Sequence, residues 1–237
     1  MDSEYQRLQS IIMNSVSSET IFDTVINKFE DYFGVRKSME DIKDKHKRGK
    51  GRHFEKLCLL LIKTGQIVHF RDFEEGYLLE ELPSIIREEL GLLKIDMGID
   101  LVVRVKRGWI AVQCKYKDPR VIKQRGYKKV VGWKELSTFH NLCDRTAPLN
   151  PWIKRITMTT GSGVRNIGNK NDKDVTIAIG TFRAIARSTW LLAIGDSGNT
   201  LGSTNISQIT NDNSSRLDQE KNKMIEARLS RFSKQNY

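Results

Sequence analysis

Long apolar runs and a secretory leader are absent from this sequence. No apolar stretch approaches the roughly 20 residues that a membrane-spanning helix needs, and a chain with 38% hydrophobic and 29% charged residues has the composition of a soluble protein. The opening MDSEYQRLQSII lacks a basic segment followed by an apolar one, so we expect no secretory signal and no membrane insertion. A length of 237 residues suits one domain with appendages or two small domains.

Cysteine is scarce, and its spacing matches no disulfide framework. Only Cys58, Cys114 and Cys143 occur, each beside apolar residues and none in a CxxC pair. The nearest approach to a zinc motif, His140 with Cys143, has no second pair to complete it. We therefore expect reduced core thiols in an intracellular, reducing compartment, either the cytoplasm or the nucleus or nucleoid.

Acidic residues are nearly missing from residues 102–134, which hold eleven Lys or Arg and the single carboxylate Asp118. A second basic block, residues 43–56, holds seven Lys or Arg, and the net charge of the chain is +11. Concentrated cationic charge favours a polyanionic partner that offers a phosphate backbone, with a merely solubilising surface as the alternative. Aromatic side chains able to stack on bases are interleaved with the first block: Trp109, Tyr116, Tyr127 and Trp133.

Hydrophobic spacing predicts helices in the first part of the chain. Residues 3–33 have apolar positions three and four apart, with a break near Ser18, and residues 37–51 suggest a charged linker or arm. The stretch GRHFEKLCLLLIKTG predicts a buried helix that stops at Gly65. Beyond it, QIVHF suggests a short strand and PSIIREELGLL a helix.

The second part of the chain predicts a sheet. WKELSTFHNLCDR has helical spacing, whereas KRITMTT and DVTIAIGTF resemble strands, so the strand–helix–strand order indicates a mixed sheet covered by helices. We expect an α/β fold with additional N- and C-terminal helices. Its predicted regions are an N-terminal helical region (1–42), a core (43–195), and a polar linker with a C-terminal helix (196–237).

A β-hairpin is predicted at GIDLVVRVKRGWIAVQCKYK, residues 98–117. A tight turn centred on Arg107 and Gly108 would place Asp100 opposite Lys115. Because side chains alternate along strands, Asp100, Gln113 and Lys115 would then share one face at one end of the hairpin. The other face would be core: Ile99, Leu101, Val103, Val105, Ile110, Val112, Cys114 and Tyr116.

The polar end of this hairpin has two interpretations. One is a cross-strand ion pair between Asp100 and Lys115 with Gln113 as a neighbour, which contributes under about 1 kcal/mol when exposed. The other is a metal site, because a carboxylate, the amide oxygen of Gln113 and the carbonyl of Cys114 are hard oxygen ligands suited to Mg²⁺ or Mn²⁺. Lys115 beside such an ion could orient or deprotonate water and stabilise a phosphate under attack.

The pattern GID, a hairpin and then VQCK resembles the PD-(D/E)xK nuclease superfamily, and in particular its Mrr-like restriction endonuclease branch, in which Gln replaces the acid before the Lys. GRHFEKLCLLLI is similar to the first core helix of that family, and the helix from Trp133 and the strand RITMTT to later core elements. The resemblance covers about residues 50–180. It implies a restriction-endonuclease-like mixed sheet flanked by helices, and hydrolytic, metal-dependent cleavage of DNA.

The resemblance also implies roles for individual residues. Asp100 would be the principal ligand of Mg²⁺ or Mn²⁺, Gln113 and the carbonyl of Cys114 further ligands, and Lys115 the catalytic lysine. Glu55, on the first core helix, would help to hold the ion. Because Gln113 is neutral, either Glu55 or Asp96 supplies the missing negative charge, or the affinity for the ion is low, or activity is lost. DNA contacts are expected from the surrounding cations: Lys50, Arg52, Lys117, Arg120, Lys123, Arg125, Lys128 and Lys129.

Three functional hypotheses follow from the sequence. The first is a metal-dependent DNA endonuclease for restriction, recombination including junction resolution, or repair, acting on double-stranded or branched DNA, with a homodimer as the hypothesis for its assembly. The second is a catalytically inactive nucleic-acid-binding or scaffold protein with the same fold. The third is an unrelated basic interaction protein that assembles through its terminal helices. No helix-turn-helix or zinc-finger spacing appears, so a long recognition sequence is not expected.

Overall fold

The computed structural model describes residues 3–17, 20–34, 40–94, 98–118, 130–146, 152–165 and 172–195. The chain divides into two compact units, Met1–Ser197 and Gly198–Tyr237, and every described residue belongs to the first. The helix predicted within residues 196–237 therefore lies outside the described residues. In the part of the chain that is described, no helix is both long and apolar enough to cross a membrane.

A five-stranded mixed sheet forms the centre of the first unit, in the order β1-β2-β3-β5-β7. The first three strands form an antiparallel meander, and β5 and β7 continue the sheet in parallel to β3. A separate pair joins β4 to β6. The strands are β1 Phe73–Leu78, β2 Leu101–Val105, β3 Gly108–Lys115, β4 Val130–Val131, β5 Lys154–Thr159, β6 Gly163–Val164 and β7 Asp174–Ile177.

Helices flank the sheet, so the predicted α/β fold with a mixed central sheet is confirmed. The described helices are α1 Ser3–Ser15, α2 Ile21–Gly34, α3 Glu40–Lys63, α4 Ser84–Glu89, α5 Trp133–Thr146, α6 Ile179–Arg183 and α7 Arg187–Ala193. Two 3-10 turns, Val68–Phe70 and Leu79–Glu81, lie before and after β1.

Helix α3 is longer than its apolar stripe suggested. It begins at Glu40, so the charged segment predicted as a linker is helical from that residue onward. Basic residues such as Lys and Arg are good helix formers, so the charge that suggested a linker is compatible with a helix. The helix ends where predicted, because Gly65 adopts a φ of 66° and donates its amide to Ile62.

Two strand predictions differ from the structure. QIVHF is not a strand but contains the 3-10 turn Val68–Phe70, and the strand that pairs with β2 is the next segment, Phe73–Leu78. This strand was missed because its sequence, FEEGYL, carries two acids and a glycine, which are poor strand formers. The predicted strand DVTIAIGTF is a strand only as far as Ile177, and α6 follows it.

Both faces of the sheet are buried. One face packs with α1, α2, α3, α6 and α7 around a large apolar cluster that includes Leu101, Val103 and Val112. The other face packs a smaller cluster, including Val102, Trp109 and Ala111, against α5 and the segment around α4. The hairpin therefore lies inside a three-layer arrangement, as expected when a parallel crossover covers a sheet.

The hairpin turn differs from the predicted one by one residue. Val105 pairs with Gly108, so the two turn residues are Lys106 and Arg107. This shifts each cross-strand partner by two positions, an even number that leaves the two faces unchanged. Ile99 alone is on the other face from the predicted one, because it precedes β2 and the strand alternation does not extend to it.

Gly98 brings the chain that leads into β2 against helix α5. Its φ is 112°, and a Cβ added there would lie 2.9 Å from the amide nitrogen of Phe139 and 2.9 Å from the carbonyl carbon of Thr138. Any side chain would therefore be strained in backbone conformation and would collide with the helix backbone. The absence of a side chain lets Asp100 approach the sheet edge two residues later.

We predict that Gly98→Ala lowers the free energy of unfolding by at least about 2 kcal/mol, because strain and collision add. Gly51→Ala is the matched control. Gly51 is in helix α3 with nothing within 4 Å of an added Cβ, so this substitution should leave stability unchanged or raise it by up to about 1 kcal/mol. Urea unfolding of both variants measures the difference, and equal stabilities would contradict the close approach.

Candidate active site at the end of the hairpin

Asp100 is held by hydrogen bonds through both its backbone and its side chain. Its amide donates to the carbonyl of Val112 at 2.9 Å, and its carbonyl accepts from the amide of Leu79 at 2.9 Å. The carboxylate atom Oδ2 accepts from the amide of Cys114 at 2.6 Å and from the side-chain amide of Gln113. The position of Asp100 is therefore set from both neighbouring strands.

Gln113, not Lys115, contacts Asp100 across the hairpin. The pairing of β2 with β3 ends with Leu101 opposite Val112, and the amide of Asp100 donates to the carbonyl of the same Val112, so Asp100 does not lie opposite Lys115. The predicted Asp100–Lys115 pairing is wrong, and the cause is the turn position described above. Gln113 is 3% exposed, and its Nε2 donates to Asp100, a bond that a carboxylate at this position could not make.

Glu55 reaches the same end of the hairpin from α3. Burial raises the pKa of Glu55 to about 7, and the charge of Asp100 adds to this rise, while the charges of Arg52, Lys115 and Lys56 oppose it. Glu55 therefore lies close enough to Asp100 and Lys115 for their charges to act on it. The structure thus brings the predicted residues Glu55, Asp100, Gln113 and Lys115 to one place.

The two carboxylates are short of compensating positive charge. Burial also raises the pKa of Asp100, to about 6, although the Cys114 amide, the charge of Lys115 and the bond from Gln113 all favour its ionised form. Two carboxyl groups with raised pKa values that repel each other would be stabilised by a cation between them. This electrostatic deficit is consistent with the predicted divalent ion.

The oxygen atoms at this place fit Mg²⁺ or Mn²⁺ in type. Glu55 and Asp100 offer carboxylate oxygens, Gln113 can offer its amide oxygen while its nitrogen bonds Asp100, and Cys114 offers its backbone carbonyl. Among the described residues no group of three or more His, Cys, Asp or Glu side chains could hold a metal. The set therefore depends on neutral oxygens, and the predicted alternative acid, Asp96, lies outside the described residues.

Two buried threonines fasten the end of β3. Thr159 donates its hydroxyl to the carbonyl of Lys115 at 2.8 Å. The hydroxyl of Thr160 accepts from the amide of Lys117 at 2.6 Å and donates to the carbonyl of the same residue at 2.7 Å. We call Thr159 and Thr160 the threonine latch. It fixes the backbone of Lys115 and Lys117 against the end of β5.

Glu135, which sequence reasoning missed, joins the site to helix α5. One carboxylate oxygen bonds Lys117, and the other accepts from the amide of Gly132 at 3.0 Å. Burial opposes ionisation, but these two bonds and the charges of Lys117 and Lys115 hold the pKa of Glu135 below its ordinary value. The sequence signal was GWKE, in which a Glu three residues after Gly132 can cap the start of a helix.

The predicted DNA-contacting residues are only partly described. Lys50 lies on α3, where burial lowers the pKa of its ammonium group. The charge of nearby Asp118 opposes this lowering but does not cancel it. Arg52 contacts Glu80 and lies 3.8 Å from Glu81. Lys117 is bonded to Glu135 as above. The other predicted contacts lie outside the described residues: Arg120, Lys123, Arg125, Lys128 and Lys129.

The three cysteines are buried free thiols, as predicted. The side chain of Cys114 belongs to the large apolar cluster, and burial raises its thiol pKa well above the ordinary value. Its contribution to the candidate site is therefore confined to its backbone.

Comparison with known proteins adds no relative, because no family model, curated protein or solved structure matches the chain.

We predict that Glu55→Gln stabilises the metal-free protein above pH 7. A carboxyl whose pKa rises on folding costs no stability below its unfolded pKa of about 4.3; the cost grows as the pH increases and is complete above the folded pKa, here about 7. After discounting for solvent screening, we expect a gain of about 1–2 kcal/mol at pH 8 and none near pH 4. Chemical unfolding in EDTA across this range measures it; a gain independent of pH would contradict the buried charge.

Proposed function

We propose that this protein is a divalent-metal-dependent DNA endonuclease of the restriction-endonuclease-like, Mrr-like type. The proposal rests on one observation, the convergence of Glu55 from α3 with Asp100, Gln113 and Lys115 at one end of the β2–β3 hairpin. The hairpin, helix and parallel strand follow in the order that the sequence resemblance implied. Fold alone does not establish an activity, so the chemistry of these residues carries the argument.

Asp100 and Glu55 would hold Mg²⁺ or Mn²⁺, with Gln113 and the Cys114 carbonyl as neutral ligands. The chemistry that such an ion supplies is polarisation of the phosphate and a lower pKa for a bound water. Gln113 has a second task, because its amide nitrogen fixes the carboxylate of Asp100. A neutral Gln113 thus contributes no negative charge to the metal site, but it orients the carboxylate of Asp100.

Lys115 is proposed as the catalytic lysine. Strand alternation places it on the face of Gln113, and the threonine latch bonds its carbonyl. Its ammonium group would orient the attacking water and stabilise the negative charge that grows on the phosphate oxygens. Water then forms the new bond to phosphorus, and the bond to the leaving sugar oxygen breaks.

The basic segments would contact the phosphates of the substrate. Lys50, in the block 43–56, lies near Asp118, the residue after Lys117, so the structure brings this one lysine close to the end of β3. Arg52 and Lys117 are partly neutralised by the carboxylates they contact. Phosphate would replace those carboxylates on binding, which gives affinity that falls with increasing salt.

A catalytically inactive DNA-binding protein with the same fold is the second candidate. It is favoured by the fact that Asp100 already accepts two hydrogen bonds through Oδ2, which partly satisfy its charge without any metal. Such a protein would bind DNA equally well in Mg²⁺ and in EDTA. A nuclease whose ion contacts phosphate should instead bind more tightly when the ion is present.

We expect the purified protein to nick or linearise supercoiled plasmid in Mg²⁺ or Mn²⁺ but not in EDTA. Asp100→Ala and Lys115→Ala should each lower the rate by about 100-fold or more, because one removes a ligand and the other a charge at the phosphate. Lys106→Ala, which removes a lysine from the turn at the far end of the same hairpin, should leave the rate unchanged.

Gel electrophoresis of the plasmid forms gives these rates, and far-UV circular dichroism shows that the variants are folded. Metal-dependent cutting that survives both Asp100→Ala and Lys115→Ala would place the active site elsewhere. No cutting of plasmid, branched or single-stranded DNA, with DNA binding intact, would favour the inactive binder.

Cleavage of both strands of a duplex requires two active sites, so a homodimer is the proposed assembly for double-strand cutting. Light scattering at the protein concentration of the cleavage assay tests this. A monomer that linearises plasmid in one binding event would contradict it, whereas a monomer that only nicks would restrict the activity to one strand at a time.

A further inference from the structure

Trp133 is exposed to an unusual degree for a tryptophan. The chain has four tryptophans, all of them among the described residues. Trp109, Trp152 and Trp190 are buried, with exposures of 4%, 3% and 1%, whereas Trp133 is 47% exposed. Large aromatic side chains contribute much apolar surface, so the open indole offers a sizeable flat apolar face at the protein surface.

The indole of Trp133 is also held in place. It stacks on the ring of His140, with ring centroids 5.2 Å apart and an interplanar angle of 17°. The His140 ring is itself supported by Phe139, whose centroid lies 5.3 Å away, and its Nδ1 is 3.9 Å from a carboxylate oxygen of Asp174. A ring supported on one side and open on the other loses little conformational freedom when a second ring stacks on it.

Trp133 lies beside the candidate active site. It is the first residue of α5, and the same first turn carries Glu135, which bonds Lys117 and the amide of Gly132. Lys117 is two residues beyond Lys115 at the end of β3. The sequence that leads into β4 and Trp133 is strongly basic, with five Lys or Arg and no carboxylate in residues 119–129.

We propose that Trp133 is a stacking platform for an unpaired base of the DNA that the site cleaves. This inference rests on the proposed function and narrows its substrate to DNA with single-stranded or branched character. A base inside a duplex has both faces covered by its neighbours, so only an unpaired base can offer a free face to the indole. Lys134 and the basic residues of the sequence 119–129 would attract the adjoining phosphates.

A protein partner is the competing explanation for an exposed tryptophan, because aromatic residues are enriched at interfaces. The surroundings of Trp133 favour nucleic acid instead. Lys134 follows it directly, and residues 119–129, which end four positions before it, hold five Lys or Arg and no carboxylate. The interface core of a protein complex is typically poor in charge. Stacking on bases, by contrast, is commonly combined with a cationic groove.

Tryptophan fluorescence provides a test that needs no cleavage. In EDTA, an oligothymidine should quench the emission of the wild-type protein, because the only well-exposed indole is the one that stacks. Trp133→Phe should bind the same oligonucleotide without that quenching, since the three remaining tryptophans are buried. Trp133→Ala should bind it about 5- to 100-fold more weakly, the loss expected for one stacked base.

Two comparisons make the result specific. Binding of Trp133→Ala to a long linear duplex, measured by gel shift, should be unchanged within about twofold, because phosphate contacts are retained. Leu192→Ala is the control for loss of exposed apolar surface; Leu192 is 46% exposed on α7, and α7 packs against α3 rather than against α5. It should bind both probes as the wild type does.

The failures of the two proposals are distinguishable. Quenching and selective loss of single-strand binding, without any metal-dependent cutting, would retain the stacking platform and overturn the nuclease. If the wild type cuts DNA in a metal-dependent way and Trp133→Ala cuts single-stranded, forked and duplex DNA at the same rates, the stacking platform alone is overturned. Equal losses on single strand and duplex would overturn it too, and absence of all DNA binding would overturn both.

Discussion

The hydrogen bond from the amide of Asp100 to the carbonyl of Val112 sets the geometry on which the site depends. It lies one position outside the register of β2 and β3, in which Leu101 pairs with the same Val112, and it holds Asp100 beside the end of β3. There the Asp100 carboxylate accepts bonds from the side chain of Gln113 and from the backbone of Cys114. Gly98 permits it by letting the preceding chain lie against α5 without a side chain.

Around this fixed carboxylate the protein concentrates negative charge that it does not fully neutralise. Glu55 and Asp100 both have raised pKa values, because both are largely removed from water, and the charge of Asp100 adds to the rise for Glu55. Lys115 reduces this imbalance without cancelling it. In a purely structural ion pair, the positive charge would keep both carboxylates ionised. Here a further positive charge would stabilise the ionised forms of Glu55 and Asp100.

The sequence predicted α1, α2, the apolar part of α3, α4, α5 and the hairpin with its two faces, apart from Ile99, because these follow from local apolar periodicity. It did not predict α6 and α7. The sequence also predicted that four polar residues meet at one place. Strand alternation predicted this for Asp100, Gln113 and Lys115, and the family resemblance predicted it for Glu55. Other features were not predicted, because they depend on tertiary contacts. The turn at Lys106 was displaced by pairing with the rest of the sheet, and β1 forms despite its poor composition because β2 offers an unpaired edge. The threonine latch and the Lys117–Glu135 bond join segments that are far apart in the chain.

The threonine latch has a consequence for how this fold can change. A single hydroxyl bonds both the amide and the carbonyl of Lys117, so the path of the backbone is fixed two residues after β3 ends. A different hydroxyl bonds the carbonyl of Lys115. The backbone at the proposed catalytic lysine and the backbone at Lys117 can therefore be altered separately, by evolution or by design, through one threonine or the other.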